Sequence, residues 1–264
     1  MFLESIRRKR EYDRPEEFPW TLPVIQSLEE AVFKSPVTFF VGENGCGKST
    51  LMEGIAAGID AVAVGARDLY SDHTLEAARE FARGFRFSRR ERPHTKMFLR
   101  AEDVFGFTQR VEQSMRELKQ MEEEFARELP EGEGRSRAVG AMRGQRRQLT
   151  DSYGERPDAR SHGETFLHLL DRRLVPGGLY LLDEPETPLS PARILTLLSI
   201  LIDGVNEGSQ FVIATHSPIL MAMPGATIYA FEEGRILKKP YEEVEHVRIT
   251  KDFLAAPERY LRWL

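Results

Sequence analysis

Apolar and polar positions along the chain follow two periods. Val37-Thr38-Phe39-Phe40-Val41 is a short apolar, partly β-branched run that stops at Gly42 and predicts a buried strand. A glycine-rich turn follows, and then Leu51, Ile55 and Ala56 at helical spacing. From Glu102 to Leu129, Val104, Phe107, Val111, Met115, Leu118, Phe125 and Leu129 form one stripe, which predicts a long helix stopped by Pro130. At 1.5 Å per residue it would extend about 42 Å. Its stripe is narrow, so it packs on one side only or pairs with a partner. Residues 131–160 are rich in Gly, Arg, Glu and Ser and nearly empty of large apolar residues. They read as a mobile loop with a polar helix near 136–149.

The second half alternates strand and helix. Residues 178–182 predict a buried strand ending in Asp183-Glu184. Ser190-Pro191 supplies an N-cap and a first-turn proline, Ile194, Leu197, Leu198, Leu201 and Val205 form a stripe, and Gly208 closes it. Residues 211–215 predict another strand, ending at His216, and 227–231 with 235–237 a hairpin. The pattern is α/β, with a parallel central sheet and a helical insertion.

Composition narrows this further. With 264 residues and 41% apolar content the chain builds a packed core, which excludes wholesale disorder. The single cysteine permits no intrachain disulfide and no thiolate zinc site. No apolar run approaches the roughly 18 residues of a membrane span, and the N-terminus lacks the apolar stretch of a secretory signal. A cytoplasmic protein is expected. A net charge of −5 argues against coating nucleic acid through bulk charge. Locally, residues 83–100 are basic, with six Arg and one Lys against one Glu. Arginines interleaved with Phe85, Phe87 and Phe98 suit nucleic acid; equally, they suit an exposed β-region with phenylalanines inward and arginines in water.

Gly42-Glu43-Asn44-Gly45-Cys46-Gly47-Lys48-Ser49, followed by Thr50, matches the phosphate-loop pattern. Glycines let consecutive N–H groups curl around phosphate oxygens, and the following helix adds favourable partial charge. Lys48 can reach β- and γ-phosphates, and the Ser49 hydroxyl can join a Mg²⁺ shell. Asp183 at a strand end can hold Mg²⁺, and Glu184 can polarise a water for attack on the γ-phosphate. Alone, such an acidic pair is merely a helix-start signal.

Together the 42–50 loop, Leu181-Leu182-Asp183-Glu184-Pro185 and Thr215-His216 resemble an ABC-type ATPase. The form Asp183-Glu184-Pro185-Glu186 is similar to stand-alone AAA-domain ATPases, a group with repair, overcoming-lysogenization-defect and phage-defence members. The resemblance implies a P-loop NTPase fold, with a core lobe at 1–101 and 166–264 and a helical subdomain at about 102–165. It implies ATP and Mg²⁺, and a head-to-tail dimer closed on ATP. In it Arg160-Ser161-His162-Gly163-Glu164 occupies the signature position, where Ser161 and Gly163 would contact nucleotide on the opposite subunit. His162 and Glu164 depart from the usual Gly and Gln. His216 matches the γ-phosphate switch histidine. No glutamine stands at the junction of core and subdomain; Glu102 there is either a metal ligand or a helix-start acid. Tyr12, Phe18, Trp20, Arg7 and Arg8 compete for the adenine contact. After Glu184, the stretch 186–190 lacks the Leu-Asp favoured by transporters.

Only 114 positions separate Gly47 from Ser161, so no long coiled-coil arm is expected, and no nuclease within the 48 residues after His216. A protein partner is expected. The resemblance implies an accessory ATPase in DNA repair or phage defence, or else the motor subunit of an ABC transporter.

Overall fold

The unbroken apolar runs become the middle of a seven-stranded sheet. In chain order the elements are β1 (Leu3–Arg8), α1 (Pro23–Ser27), β2 (Glu30–Val32), β3 (Val37–Gly42), α2 (Lys48–Ile59), β4 (Val62–Val64), α3 (Glu76–Gly84), β5 (Phe85–Arg89) and β6 (Lys96–Arg100). Three helices follow, α4 (Ala101–Glu128), α5 (Glu133–Tyr153) and α6 (His162–Arg173). The chain then runs through β7 (Leu179–Asp183), α7 (Pro191–Asn206), β8 (Gln210–Ala214), α8 (Pro218–Met221), β9 (Thr227–Glu232), β10 (Arg235–Lys239), α9 (Glu245–Ala255) and α10 (Pro257–Leu261). The structure, a computed structural model, describes residues 1–12, 16–64, 76–153 and 162–262. It divides into two compact units, Met1–Ala101 with Leu174–Leu264, and Glu102–Arg173.

In the first unit the sheet order is β10-β9-β3-β8-β7-β6-β4, with only the β9–β10 pair antiparallel. Every residue of β3, β7 and β8 is buried, which is why those strands read as continuous apolar runs rather than alternating ones. Their register sets Asp183 beside Ala214 on one side and Arg100 on the other. The C-terminal ends of β3, β6, β7 and β8 thus lie along one edge, the place where open α/β sheets carry their ligands. Ser190 holds the N-cap of α7 without a side-chain cap bond, and Pro191 opens the helix.

A second sheet, ordered β2-β1-β5 and antiparallel, was not legible in the sequence. Its core is aromatic: Trp20 stacks on Phe85 at 5.8 Å, and Phe81 on Phe85 at 4.3 Å. Close approach also shapes α2, where a Cβ on Gly54 would lie 2.2 Å from the Phe81 ring. The basic 83–100 segment forms β5 and β6: Phe85 and Phe98 are buried, and Arg86, Arg89, Arg90 and Arg92 are exposed. The β-region reading describes this placement.

In the second unit, Val104, Val111 and Met115 of α4 are buried, and Leu118, Phe125 and Leu129 are half-buried. The expected loop is mostly helix: α5 runs 21 residues, well beyond 136–149. Charge pairing explains it. Arg143 and Arg146 donate to Glu122 of α4 at 2.8 and 3.2 Å, and Glu133–Arg137 and Arg147–Asp151 are i,i+4 pairs. The hydrogen bond from Arg143, above all, holds the Glu122 carboxyl below the usual range.

Candidate active site

The phosphate-loop motif leaves β3 and enters α2. Gly42, Gly45 and Gly47 have φ of +152°, +78° and +100°, where side chains are strained. At Gly42 a Cβ would also fall 2.7 Å from the Phe231 carbonyl oxygen. Glu43, Asn44 and Gly45 are exposed, and the start of α2 follows, where helix N–H groups lack intrahelical partners. Lys48 is 4% exposed and folds back over the loop. Its Nζ donates to the carbonyl oxygens of Gly42 at 2.8 Å and Glu43 at 2.9 Å. A desolvated ammonium held by two carbonyls is ready to exchange them for phosphate oxygens.

Asp183 ends β7, 6% exposed, and its Oδ1 is buried without a hydrogen-bond partner among the described residues. Burial, chiefly, pushes its carboxyl up to about 6, with the charges of Glu184 and Glu53 adding to the effect. A hydrogen bond with the Ser49 side chain and the Arg100 guanidinium oppose it. Arg100 itself is paired with Glu53 at 2.6 Å. A buried carboxylate with an orphaned oxygen, joined to a hydroxyl, is an oxygen donor set that fits a small divalent cation.

Glu184 is one of three non-glycine residues with positive φ among those described, at +49°, a conformation that costs on the order of 1 kcal/mol. Its N–H donates to the Ala214 carbonyl at 2.9 Å. That turn leaves the carboxylate 41% exposed, with one oxygen 3.4 Å from His216 Nε2. Burial, first, and then the Lys48 ammonium lower the His216 pKa, so the ring is neutral at neutral pH. One oxygen of Glu186 accepts from the Thr215 hydroxyl at 2.6 Å, the His216 N–H at 2.6 Å and the Ser217 N–H at 3.1 Å.

Lys48, Ser49, Asp183, Glu184 and His216 therefore lie together in the first unit. Gly163 is buried in the first turn of α6 and Glu102 is exposed in the first turn of α4, both in the second unit. Ser161 lies outside the described residues. Of the adenine candidates, Trp20 is buried and Tyr12 packs on it. Arg8 lies over the Trp20 ring and donates to the Leu28 and Gln26 carbonyls, while Arg7 pairs with Glu30. Phe18 is 55% exposed. A cleft of about 480 Å³ beside the loop is lined by Leu22, Val24, Cys46, Phe231 and His246 among others. Glu186 and His246 are the residues sequence reasoning missed. The first appeared only as the last residue of the Asp183–Glu186 motif, with no role of its own. The second carried no signal.

An AAA-domain family model matches residues 26–121, and another, whose description also mentions the AbiEii toxin and type IV toxin–antitoxin systems, matches 165–222. The cobalt import ATP-binding protein CbiO of Salmonella typhimurium is 28% identical over 248 residues, covering 88% of this chain and 83% of that protein. Its counterpart from Salmonella typhi gives the same figures. A nucleotide-free ATP-binding cassette from an ABC transporter superposes with a TM-score of 0.50 at 17% identity, covering 98% of this chain and 97% of that one. In sequence the chain is thus similar to AAA-domain and ABC-type ATPases, and in fold to an ATP-binding cassette.

Proposed function

We propose that two copies of this chain close head-to-tail around ATP and hydrolyse it with Mg²⁺. The observation that carries the reading is the meeting of Lys48, the Ser49–Asp183 pair, Glu184 and His216 at one sheet edge. Glycine-shaped backbone from Gly42 to Gly47 cradles the phosphates. Lys48 leaves its two carbonyls for the β- and γ-phosphate oxygens. Ser49 and Asp183 would hold the cation. When bound, the cation neutralises phosphate charge. Glu184, exposed by its positive-φ turn, orients the attacking water and takes its proton. His216 donates to the γ-phosphate. Ser161 and Gly163 complete the site of the opposite copy.

The experiment is Glu184→Gln. Hydrolysis should slow by about 100-fold or more, ATP should still bind, and gel filtration with Mg-ATP should show a dimer. A monomer at concentrations well above the nucleotide affinity would refute the dimeric site.

For the biological output, an accessory role in DNA repair or phage defence is supported by the exposed Arg86, Arg89, Arg90 and Arg92 on and just after one strand. A transporter motor is supported by the similarity to a protein named for cobalt import.

A further inference from the structure

His216 is fixed at its backbone by Glu186, but its ring makes a separate contact. Nδ1 of His216 lies 3.2 Å from Nε2 of His246, with the rings 5.2 Å apart and tilted by 55°. His246 stands in the first turn of α9, half-buried, in the wall of the cleft beside the phosphate loop. On the other side of the ring, His216 Nε2 is buried without a hydrogen-bond partner among the described residues, near the Glu184 carboxylate.

A neutral imidazole has one N–H, and the hydrogen bond at one nitrogen decides where that proton resides. With the proton on Nδ1, it is used up on His246. Nε2 then turns a lone pair toward Glu184 and toward any phosphate, which repels both. With the proton on Nε2, the ring is a donor to phosphate, and Nδ1 must accept. Acceptance requires a donor opposite, and the group there is His246 Nε2.

We propose that His246 is a positioning residue: its Nε2–H donates to Nδ1 of His216 and holds the His216 proton on Nε2, facing the γ-phosphate. The inference rests on the reading that His216 contacts that phosphate. It separates His246 from a merely packed side chain, because only the donor matters. A glutamine places an amide N–H₂ at about the reach of the imidazole Nε2, and a leucine fills the space without donating.

The test compares His246→Leu, His246→Gln and His216→Ala with the unaltered chain. His246→Leu should lower kcat about 10- to 100-fold with KM for ATP little changed, by analogy with the loss of a hydrogen-bonding partner that orients a metal-ligating histidine. His246→Gln should restore most of it. In nitrogen-15 histidine spectra, the protein should show His216 protonated on Nε2, and His246→Leu should shift population to the Nδ1–H form. Unchanged tautomer and kcat in His246→Leu, or His246→Gln no better than leucine, would overturn the proposal. If His216→Ala is inactive while His246→Leu is normal, this inference alone fails. If His216→Ala hydrolyses ATP normally, the underlying reading fails and takes this one with it.

Discussion

Asp183→Asn should make the nucleotide-free protein more stable while removing the proposed cation site. Asp183 is charged at pH 8 in a buried place with one oxygen unpaired, and its carboxyl is pushed from 3.8 to about 6. At 1.36 kcal/mol per pH unit that displacement corresponds to about 3 kcal/mol of lost stability at full ionisation. An asparagine keeps the shape and an oxygen to accept from Ser49, but carries no charge. Unfolding 264 residues at ~2.1 cal/mol/K each gives an entropy near 0.55 kcal/mol/K, so Tm should rise by about 5 °C. Because the folded pKa lies above the unfolded one, the penalty is absent below pH ~4, where the acid is protonated in both states. It grows between pH ~4 and 6 and is constant above. Scanning calorimetry in a chelator from pH 4 to 8 should therefore show the two melting curves diverging upward through that window. Adding Mg-ATP at about 1,000 times Kd should reverse the order, since binding then stabilises the unaltered protein by about 4.1 kcal/mol, more than the gap. An asparagine variant less stable than the parent at pH 8 without cation, or a gap independent of pH, would refute the reasoning.

Two further outcomes are expected. Alkylating Cys46, half-buried in the phosphate loop with Sγ 3.9 Å from Lys48 Nζ, should block ATP binding, and ATP should protect it; equal labelling with and without ATP would count against this. If the exposed arginines engage nucleic acid, replacing Arg86, Arg89 and Arg90 should weaken binding and flatten its salt dependence, by about 0.9 in slope per lost phosphate contact on duplex DNA. DNA should also raise the ATPase rate of the unaltered protein. A flat ATPase response at low and moderate salt, with no binding, would leave a protein partner, and co-purification with a membrane subunit would favour the transporter motor.

Much of the fold was legible because β3, β7 and β8 are covered on both faces, and a strand so covered must be apolar throughout. β1 and β2 are short or half-buried, and their aromatic partners come from distant parts of the chain, so no local period announced them. α5 was under-read for a different reason. Helical stripes register apolar faces, whereas this helix is held by Arg–Glu pairs whose members lie as far as 24 residues apart. In the site, Lys48, Asp183, Glu184 and His216 each sit in a short motif at a strand end. His246 does not. It reaches His216 because α9 follows the β9–β10 hairpin back toward the loop, and no spacing rule encodes that return.

Glu186 ties the loop after β7 to the loop after β8 through three hydrogen bonds to a single oxygen. The consequence is mechanical. Glu184 and His216, thirty-two positions apart in the chain, are joined through Glu186, which opens the stretch from Glu186 to Ser190. A displacement of that stretch would therefore reach both residues, the one proposed to handle water and the one proposed to sense phosphate, through the same clasp.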